Sequence, residues 1–99
     1  MKLEVTFCKK GKLRYISHLD IVRLFQRAVR RAGLPVSITK GFTPHYKIGF
    51  SNALKLGVES DSEKAIFAMD AWMDEEDFKN RINEKLPEGV RIITCKKRF

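Results

Sequence analysis

Cysteine, proline and histidine are scarce among the 99 residues, and acidic residues are scarce in the first half of the chain. The two cysteines, Cys8 and Cys95, lie near opposite ends. An iron–sulfur cluster typically takes about four thiolates. Two cannot hold one alone, and no CxxxCxxC spacing occurs. Reduced, partly buried thiols are expected, with a disulfide between the terminal strands as the alternative. No apolar run reaches the roughly 18 residues that spanning a bilayer requires. Met1-Lys2-Leu3-Glu4-Val5 alternates like a strand and has no apolar signal-peptide core, so a cytoplasmic protein away from membranes is expected. Glycine-rich phosphate loops, nucleophile elbows and zinc-ligand spacings are absent too.

The shortage of acid is local. Residues 1–58 hold twelve Lys or Arg against two Asp or Glu, a net +10. Residues 59–99 hold eight against ten, a net −2. With a pI near 9.8, this asymmetry points to an anionic partner for the first half, or else to charge that serves solubility alone. Hydrophobic residues make up 43% of the chain, enough for the small core of one domain spanning residues 1–99.

The richest stretch is residues 17–47. Ser17 and Asp20 have the form of a capping box, with Asp in place of the usual Glu. Ile21, Val22, Leu24, Phe25, Ala28, Val29 and Ala32 then recur at helical spacing. Arg23, Arg27, Arg30 and Arg31 fall on the other side, either as an anion-binding stripe or as a solvated face with Asp20–Arg23 pairing. Gly33 and Pro35 end the helix. The loop Thr39-Lys40-Gly41-Phe42-Thr43-Pro44-His45-Tyr46-Lys47 interleaves cations with aromatic rings. Phe42 and Tyr46 are candidates for base stacking, with Lys40, Lys47 and His45 donating to phosphates. The alternative is that both rings plug the core.

Elsewhere, residues 2–8 alternate as a half-buried strand, with Leu3, Val5 and Phe7 on one face. Residues 9–12 read as a turn and 13–16 as a short returning strand, which would bring Lys9, Lys10, Lys12 and Arg14 to the helix start, itself an anion site. Strands are expected at 35–39, 47–51, 64–72 and 90–95, although Ala65, Ile66 and Met69 also fit a helix and only the flanking turn signals favour a strand at 64–72. Residues 52–62 read as irregular, and Lys96-Lys97-Arg98 as a basic tail. Asp74-Glu75-Glu76-Asp77 opens a second helix whose stripe is Phe78, Ile82 and Leu86, stopped by Pro87. This order predicts an α+β fold: an antiparallel or mixed sheet with two helices on one face, close to a ferredoxin-like split βαβ. His18, Asp20 and His45 would make a catalytic or two-histidine, one-carboxylate metal site only if the fold brought them together. A packing role for His18 is the commoner outcome.

Several stretches also carry a resemblance. They are Lys10 to Asp20, Arg27-Ala28 with Arg30 to Pro35, Thr39 to His45, Leu56-Gly57-Val58-Glu59-Ser60, and Leu86-Pro87-Glu88-Gly89. In this order, over about residues 3–93, the chain resembles the N-terminal half of a bacterial domain family linked to radical S-adenosylmethionine proteins, fused to such an enzyme or encoded beside one. That family's domain usually continues further, so the resemblance implies a short member or a piece of a longer domain. It implies a context rather than a mechanism. A radical S-adenosylmethionine protein is the expected partner. The iron–sulfur cluster and S-adenosylmethionine belong on that partner, and no cofactor is expected in this chain. The expected function is a non-catalytic accessory domain that binds RNA or a nucleotide-like anion through Lys10, Lys12, Arg14, the α-helical arginines and the 40–47 loop. A protein docking module and a catalytic half-site are the alternatives.

Overall fold

The structure is a computed structural model that describes residues 1–51 and 56–98. Its elements are β1 (Lys2–Lys9), a 3-10 helix (Gly11–Tyr15), α1 (His18–Ala32), β2 (Ile48–Phe50), β3 (Ser60–Ala68), α2 (Glu75–Asn83) and β4 (Val90–Arg98). The four strands form one antiparallel sheet in the order β2-β3-β1-β4. Two split βαβ units thus interlock, and the ferredoxin-like α+β expectation holds.

Local chemistry sets the helix ends. Ser17 caps α1, its Oγ accepting from the Asp20 N–H at 3.1 Å. Gly33 closes it in the left-handed conformation (φ 64°), its N–H turned back on the last carbonyls of the helix. Asp74 caps α2 by accepting from the Asp77 N–H at 3.2 Å. Glu75, Glu76 and Asp77 follow in the first turn, where the helix dipole favours negative charge.

Both helices cover one face of the sheet. Leu3, Val5 and Phe7 of β1, Ala65 and Phe67 of β3, and Val90 and Ile92 of β4 share one core with Ile21, Phe25, Ala28 and Val29 of α1 and Phe78 and Ile82 of α2. Edge-to-face rings run through it, Phe7–Phe25 at 5.0 Å and Phe67–Phe78 at 5.0 Å, each such pair worth about 0.5–1.5 kcal/mol beyond its buried area. A register shift between Thr6 and Phe7, opposite Thr94 and Ile92, leaves Ile93 as the extra residue. It keeps Ile92 in step with Phe7 and turns Ile93 outward.

Several expectations are corrected. Residues 13–15 lie in the 3-10 helix, with Ile16 as its C-cap, and not in a returning strand, because β3 and β4 already occupy both edges of β1. Residues 35–39 make only two isolated bridges, Val36 with Met69 and Ile38 with Tyr46. Pro35 has no N–H for a ladder. The strand expected at 64–72 runs instead from Ser60 to Ala68, and Met69 is held by the isolated bridge. Residues 60–62 are therefore strand and not irregular, and residues 52–55 lie outside the described residues. Lys96, Lys97 and Arg98 continue β4 and are not a tail. Lys9 points inward and is buried at 1% exposure, so it leaves the basic surface.

Candidate anion-binding surfaces

The cations read from the sequence fall on three separate parts of the molecule. Arg23, Arg27, Arg30 and Arg31 lie exposed on α1, on the side away from the sheet. Arg23 pairs with Asp20 at 3.4 Å. Arg27, Arg30 and Arg31 have no ion pair among the described residues. Arg27 and Arg31, one turn apart, line a cleft of about 250 Å³ together with Lys85. Its apolar wall is Leu24, Ala28, Leu86 and Pro87.

The 39–47 loop is closed at its base by Thr39. The Thr39 N–H donates to the His45 carbonyl at 2.8 Å, and the His45 N–H donates to Thr39 Oγ1 at 3.1 Å. Gln26 of α1 clamps the next residue from both sides. Its Nε2 donates to the Tyr46 carbonyl at 2.9 Å, and its Oε1 accepts from the Tyr46 N–H at 2.8 Å. The Tyr46 ring is half-buried against the core and is a plug, so it offers no open stacking platform. Phe42 is the opposite case: fully exposed at the loop tip beside exposed Lys40. His45 and Lys47 flank Tyr46 and turn to the uncovered side of the sheet, where they line a groove with Lys2, Gly49, Ile66 and Ala68.

The third group sits at one pole, where three turns meet. Lys10 donates its N–H to the Gly89 carbonyl at 2.8 Å, and the Gly57 N–H donates to the Arg14 carbonyl. The Gly11 N–H donates to Glu59 Oε2 at 2.8 Å. Gly89 has no room for a side chain, since a Cβ there would lie 2.7 Å from the Lys10 carbonyl oxygen. Lys10 and Lys12 stay exposed. The Arg14 guanidinium stacks on the Tyr15 ring at 4.7 Å and donates to its hydroxyl at 2.8 Å.

His18, Asp20 and His45 are not brought together. The His18 ring packs edge-on against Phe50 at 5.4 Å, Asp20 serves Arg23, and His45 Nδ1 lies 3.0 Å from the Thr43 carbonyl. Among the described residues no three His, Cys, Asp or Glu side chains are placed to share a metal ion. The cysteines are free, with Cys8 on the uncovered face and Cys95 opposite inward-facing Val5 on the helix side. Burial, reinforced by Glu75 and Glu76, pushes the Cys95 thiol up to about 12.

Residues 2–98 match the family described as an uncharacterized protein conserved in bacteria, DUF2344. The chain belongs to that family. No curated protein matches it. Among the described residues of this DUF2344 chain, no helix is long and apolar enough to cross a membrane.

A further cationic surface of this DUF2344 chain is not evident from the sequence. On the face of the sheet that no helix covers, Lys2 lies opposite Ala68 and Arg98, Thr6 opposite Lys64, Glu4 opposite Lys96, and Cys8 opposite Arg91. Lys2, Lys64, Arg91, Lys96 and Arg98 therefore share one surface, and Lys47 and His45 extend it at the β2 edge. Glu4 is the one carboxylate among these outward-facing pairs, and it is taken by Arg98 at 3.0 Å. Four of the cations come from the half of the chain whose net charge is −2. The signal in the sequence was strand alternation: Lys64 beside Ala65, and Lys96 and Arg98 on either side of Lys97, carry it once the inward face of each strand is known.

Proposed function

We propose that this chain is a non-catalytic accessory domain that binds single-stranded RNA along the open face of its sheet and presents it to a radical S-adenosylmethionine partner. One observation carries the RNA reading: an uncovered four-stranded face bearing Lys2, Lys47, Lys64, Arg91, Lys96 and Arg98 around a single carboxylate. Rows of cations spaced along strands suit a phosphate backbone. Phe42, fully exposed at the tip of the loop bordering this face, is a ring on which a base can stack. The partner's identity rests on the resemblance of the motif series alone.

Fluorescence anisotropy with short single-stranded RNA over a salt series tests the RNA reading, with heparin as competitor. Lys64→Ala and Lys96→Ala should each flatten the log–log salt slope by about 0.7 per lost phosphate contact. Phe42→Ala should cost about 1–3 kcal/mol of affinity if a base stacks there. Arg30→Ala, on the far layer, should leave the slope unchanged. Slopes that respond to Arg30 and ignore Lys64 and Lys96 would move the site to α1.

A second reading, docking of an acidic protein, is favoured by the cleft between α1 and the segment that follows α2. Arg27 and Arg31 are like charges at i,i+4, which disfavour each other, and Lys85 adds a third cation over an apolar wall that holds no aromatic ring for a base. Capture of the radical S-adenosylmethionine partner that survives nuclease and is lost in Arg27→Glu would support it.

A further inference from the structure

We propose that the pole of the fold holds a binding pocket for a terminal phosphate, the phosphomonoester of a nucleotide or of a 5′-phosphorylated strand. The pocket is a cavity of about 550 Å³ at the end of the open sheet face. The 10–12 turn forms one wall and the 88–89 turn the other, with Cys8 and Arg91 of the paired β1 and β4 between them. The inference goes beyond RNA binding along the sheet and does not require it.

Charge selects the ligand. Lys10, Lys12 and Arg91 line one cavity, and none of them has an ion pair among the described residues. The nearby acid Glu59 is already engaged by the Gly11 N–H, which leaves Glu88 as the one carboxylate on the wall. Three cations against one carboxylate favour a dianion over a monoanion. An internal phosphodiester carries a single charge, whereas a phosphomonoester carries about 1.5–2 at neutral pH and three strong acceptor oxygens. Arginine adds a planar fork that can grip two of those oxygens. The volume exceeds what a bare phosphate fills and leaves room for an attached sugar.

The two turns are fixed at the distance the pocket needs. The Lys10 N–H bond to the Gly89 carbonyl ties them together. With no space for a Cβ at Gly89, they can approach closely enough to form one wall. The walls are thus preorganised, and binding needs to order only the Lys10, Lys12 and Arg91 side chains.

Cys8 supplies a reporter inside the cavity, and the other thiol is out of the way. Cys95 lies on the helix side with its thiol held protonated, so a neutral alkylating reagent at mildly alkaline pH reports on Cys8. The experiment is the rate of Cys8 carbamidomethylation by iodoacetamide, read by mass spectrometry at constant ionic strength. Four additions are compared: a nucleoside 5′-monophosphate, the unphosphorylated nucleoside, a 5′-phosphorylated oligonucleotide and its 5′-hydroxyl counterpart. A phosphomonoester present at ten times its dissociation constant should slow the reaction about tenfold. The nucleoside should not, and the 5′-hydroxyl strand, which can still lie along the sheet beside Arg91, should protect less than its 5′-phosphorylated counterpart. Protection by the mononucleotide identifies a nucleotide site, and protection by the 5′-phosphorylated strand alone identifies a strand-end site. Lys12→Ala and Arg91→Ala should abolish protection with an unchanged melting temperature. Equal rates with all four additions, or equal protection by 5′-hydroxyl and 5′-phosphorylated strands, would overturn the proposal. Protection by the mononucleotide with no strand binding to the sheet would instead sink the RNA reading and leave the pocket standing.

Discussion

Along β1, Leu3, Val5 and Phe7 enter the core, while Lys2, Glu4, Thr6 and Cys8 look out from the face that neither described helix covers. The two layers differ in how they treat charge. On the helix layer four acids are paired, Asp20 with Arg23, Glu76 with Lys79, Asp77 with Arg81, and Glu75 with Lys97, which reaches in from β4, and the arginines left over are gathered at Arg27, Arg30 and Arg31 of α1. On the sheet face Glu4–Arg98 stands among cations that have no such partners among the described residues. Among the described residues the helix layer thus holds four ion pairs and the sheet face one. A matched layer can rest on its own pairs, whereas an unmatched one gains from an anion in solution.

The comparison breaks most severely at its inward side. Phe7→Ala removes a fully buried ring that touches Phe25 and Phe50 edge-on at 5.0 and 6.0 Å. Urea denaturation should show a loss of about 3–5 kcal/mol. Its neighbour Thr6→Ala, on the outward side, should stay within about 0.5 kcal/mol. Comparable losses at both positions would mean that the outward face is covered after all.

A smaller effect is expected where the helix layer reaches across to the loop. Gln26→Ala leaves the half-buried Tyr46 N–H and carbonyl without the paired bonds they now make. About 1–3 kcal/mol should be lost. Because the same clamp fixes the segment that carries His45 and Lys47, hydrogen exchange at 45–47 should rise in this variant while β1 stays protected. Uniform acceleration across the sheet would show that the loop is not held by Gln26 in particular.

Both helices were legible because their ends are local chemistry: Ser17 and Asp20, Gly33, then Asp74 with its acidic turn. β1 was legible by its period of two. The 3-10 segment was not, since Leu13-Arg14-Tyr15-Ile16 alternates well enough for a strand and only the occupancy of both β1 edges rules one out. Strand order is long-range information, and the basic face depends on it. Lys64 follows Asp61 and Glu63, Arg91 follows Glu88, and Lys96 and Arg98 read as part of a basic tail, so only the β3-β1-β4 pairing places them beside Lys2. The arginine stripe of α1 was read correctly as exposed, but it was grouped with loop residues that face the other way. Phe42 and Tyr46, four residues apart, had the same alternatives and took different ones, because Gln26 holds only Tyr46.

Raising the pH probes the interior side of β4. In the folded chain the Cys95 thiol is pushed up to about 12 from an ordinary 9.0, by burial first and then by Glu75 and Glu76. Folding therefore favours the protonated thiol. Its contribution is complete below pH 9 and is lost as pH rises from 9 toward 12, where the unfolded chain has already released the proton. Wild type should lose more thermal stability over that interval than Cys95→Ala. Parallel melting curves for the two would show that the site ionises as easily folded as unfolded.

The mildest change is the most direct contrast of the two layers. Lys2 and Arg98 stand directly opposite in the β1–β4 ladder, a like-charge placement that disfavours pairing. Lys2→Gln should therefore raise stability by a few tenths of a kcal/mol at low ionic strength, roughly the scale of one cross-strand pair. The gain should fade near 1 M salt, where the screening length falls to about 3 Å. Glu75→Gln on the matched layer should do the reverse. It weakens the contacts Glu75 makes to the Lys97 N–H at 3.2 Å and to Lys97 Nζ at 3.8 Å, and should lower stability by up to about 1 kcal/mol at low salt. Melting curves of both variants at low and high salt decide the matter. Opposite signs that converge on wild type at high salt are what unmatched and matched charge require, and a loss in both would mean that the sheet face already balances its own cations.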